Sequence, residues 1–277
     1  MTPLGEACSL LFVPANRPDR YEKAAATGAD AVILDLEDSV PAGEKAAARD
    51  AIHGAWSKVA APGPPIVVRV NSHASGFFED DLAALRGLDP APAIVLSKAE
   101  SAAQVGRVRD ALRSCAVIPL IETAQGLDAI GAIAAAPGVA RLAIGHLDFM
   151  ADTGIRCSDG EPELAPLRFA VAIATRVADL APAIDGVTVQ IDDERRLRED
   201  CARARRFGFG AKLCIHPRQV AIVQAAFAPT DEELAWARRV VEADAAAGGR
   251  AVQVDGRMVD LPVVSLARLT LARARRS

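Results

Sequence analysis

The chain has 277 residues, of which 51% are hydrophobic, 25% charged and only 4% aromatic, with a formal net charge of −4 at pH 7. That apolar content excludes a disordered chain, and the length suits one α/β barrel with a short addition. The acidic balance excludes nucleic acid and anionic membrane surfaces as partners, since both demand a concentrated excess of Lys and Arg. No run approaches the ~20 apolar residues of a membrane span.

Apolar, β-branched runs alternate with Ala-, Leu- and Arg-rich stretches of helical period. A strand is expected over 9–14 and a helix over 18–27, opened by Pro18-Asp19. Strand 31–36 leads to helix 43–59. Strand 66–71 and helix 77–87 follow, then 93–97 with 100–113, 116–121 with 125–136, and 140–145 with 162–180. The last pairs are 183–189 with 192–207, whose first turn carries Asp192-Asp193-Glu194, and 211–215 with 217–226. Strands apolar on both faces and alternating with helices call for a parallel sheet buried on both sides. Eight such units suggest a (β/α)8 (TIM) barrel over residues 1–228. The competitor, a doubly wound open sheet, lacks its Gly-x-Gly-x-x-Gly turn after the first strand.

Residues 229–277 read as an appendage. Pro229-Thr230-Asp231-Glu232-Glu233 is a capped helix start, running to about Ala247, where Gly248-Gly249 stops it. A hairpin over 250–262 turns on Asp255-Gly256, and a final helix covers 264–275. The Arg273-Ala274-Arg275-Arg276 tail suits the negative end of that helix. The helix-hairpin-helix could serve as a lid. Five cysteines, Cys8, Cys115, Cys157, Cys201 and Cys214, are scattered without a CxxC pair, so neither a zinc site nor a disulfide framework is indicated. Reduced thiols and the absence of an apolar leader point to the cytoplasm.

In such a barrel the chemistry sits where the strands end. The second run finishes in Asp35, Glu37 and Asp38, the third in Arg69 and Asn71, the fourth in Lys98 and Glu100, the fifth in Glu122, the sixth in His146 and Asp148, and the eighth in His216. Glu122 and Asp148 close consecutive strands, which lie ~4.8 Å apart, so both carboxylates can reach one cation. Oxygen-only ligands select Mg2+ or Mn2+; the alternative is that each acid pairs with a rim cation or caps a helix. Arg69 lies within an apolar strand and needs an anion. That anion is either a substrate carboxylate held through two parallel N–H bonds or Asp35 or Glu37 in a structural salt bridge. Lys98 stands beside Glu100 rather than in an apolar pocket, which favours an ion pair over Schiff-base chemistry. His146 and His216 are the rim histidines, His53 being on a helix and His73 in a loop. His216 precedes Pro217 and reads equally as a helix-start residue. No GxSxG elbow is present, and Phe207-Gly208-Phe209-Gly210 is too short for a phosphate loop.

These residues resemble the citrate lyase β-subunit-like branch of the HpcH/HpaI aldolase superfamily, which includes malyl-CoA and citramalyl-CoA lyases. The likeness is carried by Leu11-Phe12-Val13-Pro14 with Arg17-Pro18-Asp19, by Gly28-Ala29-Asp30 leading into Leu34-Asp35-Leu36-Glu37-Asp38-Ser39-Val40, and by Arg69-Val70-Asn71. Further on come Ile121-Glu122-Thr123, Gly145 through Asp148, Ala183 through Val187, and Gly210 through Pro217. The resemblance implies that Glu122 and Asp148 are Mg2+ ligands and that Arg69 clamps a substrate carboxylate and an enolate, with Glu37 and Glu122 also meeting substrate. It further implies a homotrimer whose appendage covers a neighbour's site. Within Gly256 through Pro262, Asp260 resembles the lid acid/base, although Val263 stands where acyl-CoA members often have His. Where members acting on free pyruvate show a rim His, this chain has Glu37. The activity implied is Mg2+-dependent cleavage of a 3-hydroxyacyl thioester, on CoA or an acyl carrier, into a 2-oxoacid and an acyl thioester. Asp260, or failing it Asp35, would move the proton. Thioester hydrolysis, the reverse condensation and a non-catalytic acyl-CoA-binding subunit are the alternatives. Arg17 and Lys23, near the first strand's exit, are the candidates for CoA phosphates, with solvated helix charges as the other reading.

Overall fold

In the computed structural model, which describes residues 4–60 and 63–274, eight parallel strands close into a barrel in sequence order. They are β1 (Ser9–Pro14), β2 (Ala31–Asp35), β3 (Ile66–Val70), β4 (Ala93–Leu96), β5 (Val117–Ile121), β6 (Ala143–Ile144), β7 (Ile184–Asp185) and β8 (Ala211–Cys214). Around them run α1 (Tyr21–Ala25), α2 (Lys45–Val59), α3 (Phe78–Leu85), α4 (Ala102–Ala111), α5 (Ala124–Asp128), α6 (Ile130–Ala134), α7 (His146–Thr153), α8 (Ala165–Val177), α9 (Glu194–Arg206) and α10 (Pro217–Phe227). Closure is read from β1, where Leu10 lies opposite Ala31 on one side and Leu213 on the other. This is the (β/α)8 barrel that the repeat predicts.

Alternate residues of each strand face opposite sides. Leu10, Ile33, Val67, Val95, Ile118 and Leu213 form the interior cluster. Their neighbours Leu11, Val32, Leu34, Val68, Ile94 and Leu96 are equally buried and face the helices. Each such side chain contributes roughly 1.5–3 kcal/mol on burial. With both faces covered there is no place for a polar alternation, which is why the strands read as continuous apolar runs.

Two expectations for the strands of the barrel and their exits need correction. The runs over 140–145 and 183–189 shrink to two-residue strands, which pair with each other only at Ala143 and Ile184. The ladder stops at Gly186 because its carbonyl accepts the buried Lys212 ammonium at 2.6 Å rather than a backbone N–H. The second correction concerns α7, which the periodicity did not reveal. Asp148 lies in the first turn of that helix rather than at a strand end. Gly145 makes the sharp exit from β6, and Gly154, in the left-handed region at φ 73°, ends the helix.

The chain divides into two compact units, one up to Gln224 and one from Ala225 onward. The second contains α11 (Asp231–Ala247), β9 (Val252–Val254), β10 (Arg257–Val259) and α12 (Leu261–Ala274). Thr230 and Glu233 close a reciprocal capping box at the start of α11. Asp255 and Gly256 turn the hairpin with φ of 50° and 77°. Ala237, Val240, Val259, Val264 and Ala267 form a separate core. The last helix begins at Leu261 rather than at 264, because Pro262 fits a first helical turn, where its missing N–H costs nothing. Arg275 and Arg276 of the basic tail lie outside the described residues. No described helix is long and apolar enough to cross a membrane.

Candidate active site

The site is built at the C-terminal mouth of the barrel, starting from two neighbouring strands. Register places Asp35 of β2 opposite Arg69 of β3, and their side chains form a two-pronged ion pair, Nε to Oδ1 at 2.6 Å and Nη2 to Oδ2 at 2.7 Å. Of the anions expected for Arg69, Asp35 is thus the one on its Nε and Nη2 edge. The third nitrogen, Nη1, is shared between Glu37 Oε2 at 3.0 Å and the exposed Asp38 Oδ2 at 3.4 Å. The Phe12 ring lies under the guanidinium, 4.8 Å away. Asp35 also accepts the N–H groups of Glu37 and Ser39. Burial works to raise its pKa, but Arg69 and these bonds hold the carboxyl below its ordinary range. Asp35 is thus an orienting anion with its acceptor capacity committed.

The loop after β2 is held from below by Asn71, already named at the end of the third run, and by Lys45, which sequence reasoning passed over. Lys45 Nζ donates to the carbonyls of Leu36 and Glu37 at 2.8 and 2.9 Å, and Asn71 Nδ2 donates to Leu36 O while resting on Asp81. The only signal of Lys45 in the sequence was a charged residue at the start of a helix. Glu37 itself is buried, accepting from Ser97 Oγ at 2.8 Å and Lys98 Nζ at 2.9 Å. Its pKa is nevertheless raised, because burial outweighs the cations beside it.

Glu122 directly follows β5 and is 1% exposed. It fits because residue 145 is glycine: a Cβ there would lie 2.1 Å from Glu122 Oε2 and 2.7 Å from its Cβ. The backbone N–H of Lys98, at φ 46°, donates to Glu122 Oε1 at 2.7 Å. Burial, reinforced by the nearby charges of Glu37 and Asp148, pushes the Glu122 carboxyl up to about 8. Asp148, half-exposed on α7, accepts from Lys98 Nζ at 3.0 Å. Lys98 is therefore in an ion pair, as its sequence context favoured, but with Glu37 and Asp148 rather than Glu100.

Asp35, Arg69, Glu122, His146 and Asp148 line one cavity of about 370 Å³ over an apolar floor that includes Leu120, Val187 and Leu213. His146 is buried with Nδ1 unpartnered. Burial lowers its pKa, and Gly186 leaves it room, a Cβ there lying 2.2 Å from Nδ1. His216 is partly buried, and its Nδ1 accepts the Arg218 N–H at 3.2 Å, the helix-start arrangement. Arg17 lies just beyond β1 and forks onto Asp19, both exposed. Lys23 is exposed on α1. Asp260 belongs to the second unit, between β10 and α12, its carbonyl accepting the Val264 N–H at 3.0 Å.

Around the mouth, five carboxylates (Asp35, Glu37, Asp38, Glu122 and Asp148) face three cations, Arg69, Lys98 and, under the loop after β2, Lys45. Such an excess of hard oxygen donors suits a divalent cation. Among the described residues no three His, Cys, Asp or Glu side chains form a ready metal cage, so a cation on Glu122 and Asp148 would complete its shell from water and ligand.

A family model described as HpcH/HpaI aldolase/citrate lyase matches residues 8–217. The chain belongs to that family. It is 37% identical over 275 residues to a citrate lyase subunit beta-like protein of Deinococcus radiodurans, covering 95% of this chain and 96% of the relative. It is 33% identical over 269 residues to a (3S)-malyl-CoA thioesterase of Cereibacter sphaeroides, covering 96% and 94%. Among solved structures, CitE of Mycobacterium tuberculosis in complex with magnesium, acetoacetate and coenzyme A superposes with a TM-score of 0.86 at 37% identity, covering 98% of this chain and all of that one. The family is named for aldolase and citrate lyase, one of these relatives for a thioesterase, and the chain is an enzyme of this family.

Proposed function

We propose that the chain is a Mg2+-dependent lyase that splits a 3-hydroxyacyl thioester of the malyl, citramalyl or citryl type into a 2-oxoacid and an acyl thioester. The observation that supports this reading is that Glu122 and Asp148 line one cavity together with Arg69, with a cation, the Lys98 ammonium, already on Asp148 at 3.0 Å. The M. tuberculosis relative has also been solved with oxaloacetate and magnesium, which supports a 2-oxoacid as one product.

Glu122 and Asp148 are the residues to hold Mg2+, which when bound draws electrons from the carbon that becomes the 2-oxo carbon. Arg69 Nη1 is the donor able to exchange its partner. The Nε and Nη2 edge stays on Asp35 and fixes the plane, while Nη1 meets the oxygen on which enolate charge develops. The apolar floor keeps that charge in a dry setting, where a fixed donor is most effective. Asp260 is assigned the proton transfer: as the carbon–carbon bond breaks it takes the proton of the 3-hydroxyl, which becomes the 2-oxo oxygen, and returns it to the α-carbon of the acyl enolate. Asp35, already committed to Arg69, is better suited to holding the guanidinium. Glu37 positions Lys98 and Arg69 beside the substrate. Arg17 and Lys23 are assigned to CoA phosphates; the exposed Arg17–Asp19 pair is weak enough to yield to a phosphate.

The test is to supply the purified chain with malyl-CoA or citramalyl-CoA and Mg2+. Lyase action releases a 2-oxoacid in step with acyl-CoA and stops in EDTA. Likeness to the malyl-CoA thioesterase supports hydrolysis as a second reading, which would release free thiol without a 2-oxoacid.

A further inference from the structure

We propose that Lys98 is the resident counter-ion of the divalent-cation site, holding Asp148 while no metal is bound and being displaced from it when Mg2+ arrives. This inference rests on the reading of Glu122 and Asp148 as the cation ligands. One residue touches three of the five mouth acids: the ammonium bonds Asp148 Oδ1 at 3.0 Å and Glu37 Oε1 at 2.9 Å, and the backbone N–H of the same residue bonds Glu122 Oε1 at 2.7 Å.

The positive φ of 46° at a non-glycine residue carries a local cost, and the N–H bond to Glu122 and the ammonium bridge both depend on that turn. The main-chain contact is fixed; the ammonium is not. The Lys98 side chain is 32% exposed and that of Asp148 36%, so the pair can part without opening the core, whereas Glu37 is 8% exposed and keeps its hold. An ammonium 3.0 Å from a carboxylate oxygen stands where a Mg2+ ion, at about 2.1 Å from the same oxygen, would be strongly repelled. The two cations exclude one another at Asp148.

Such an arrangement keeps the acids from being left unpaired in the metal-free protein. It also filters by charge. A monovalent ion gains nothing over an ammonium that is already hydrogen-bonded, and only a divalent ion displaces it. Once displaced, the ammonium remains on Glu37, beside the incoming substrate.

The experiment is calorimetric titration of wild type, Lys98→Met, Lys98→Arg and Glu122→Ala with MgCl2 alone, no thioester being present. Removing one positive charge at this range is expected to tighten Mg2+ binding about tenfold in Lys98→Met, while Lys98→Arg, which keeps the charge, stays close to wild type. In EDTA, Lys98→Met is expected to melt below wild type, and Mg2+ to restore most of the difference. A purely structural lysine predicts the opposite, weaker Mg2+ binding in Lys98→Met. That result, or unchanged affinity, with binding still abolished by Glu122→Ala, would overturn the counter-ion role and leave the ligand pair standing. Absence of Mg2+ binding in wild type and Lys98→Met alike would overturn both. Should Lys98→Met not fold, Lys98→Gln gives the same comparison.

Discussion

The two ends of the barrel handle buried charge in opposite ways. At the N-terminal end, Arg141 is 1% exposed and is answered by neutral dipoles, donating to the carbonyls of Pro182, Ala7 and Leu4 at 2.7, 2.6 and 3.0 Å. Burial lowers its pKa to about 10. Asp30, at the same end, accepts from the backbone N–H and side chains of Cys8 and Ser9. At the C-terminal mouth the charges are answered by other charges, with carboxylates in excess. Carbonyls and amides fixed in a backbone cannot rearrange, so the first end is a plug. Ion pairs between side chains can exchange partners, and the second end is equipped to take up a cation and an anion.

The sharpest way to break this contrast is at the ligand pair. Glu122→Ala or Asp148→Ala should lower Mg2+-dependent turnover more than about a hundredfold while circular dichroism shows the barrel intact. Gly145→Ala should come next, since its Cβ would lie 2.1 Å from Glu122 Oε2; steady-state kinetics would show loss of Mg2+ affinity together with kcat. Arg69→Lys keeps a charge but loses the fork onto Asp35, and kcat/KM should fall by about ten- to a hundredfold.

At the plug the pattern should invert. Arg141→Met should cost about 1–3 kcal/mol for the carbonyls it leaves unpaired, visible as a lower Tm, with kcat unchanged. The smallest effect is in pH. Glu122 titrates at about 8 in the fold against an ordinary 4.5, so between those values the metal-free fold holds a proton that the unfolded chain does not. Its contribution therefore makes stability fall as pH rises from 4.5 to about 8 and level off above. Denaturant melts in EDTA should show this slope in wild type and its loss in Glu122→Gln. Because a bound cation requires the carboxylate, Mg2+ affinity should rise with pH up to about 8.

The same contrast governs what the sequence disclosed. Strands β1 to β5 and β8 were legible because burial on both faces leaves an uninterrupted apolar run. The appendage was legible from Thr230, Asp255 and Gly256, whose roles are local. Arg69 announced its need for an anion, but that Asp35 supplies it depends on register across 34 residues. The Lys98–Glu37 contact spans 61 residues and leaves no local trace. Helix α7 was hidden because a strand end and a helix first turn offer the same short stretch, Gly145 to Asp148. Arg141 looked like a strand residue, since its partners are carbonyls that carry no sequence signal.

The most direct measurement is a crystal grown with Mn2+ and pyruvate and recorded at the manganese absorption edge. Glu122 and Asp148 as joint ligands predict one anomalous peak at the barrel mouth, about 2.1 Å from an oxygen of each, with Lys98 Nζ withdrawn from Asp148. A manganese peak held by other residues, or a mouth that stays free of manganese with pyruvate bound, would contradict it.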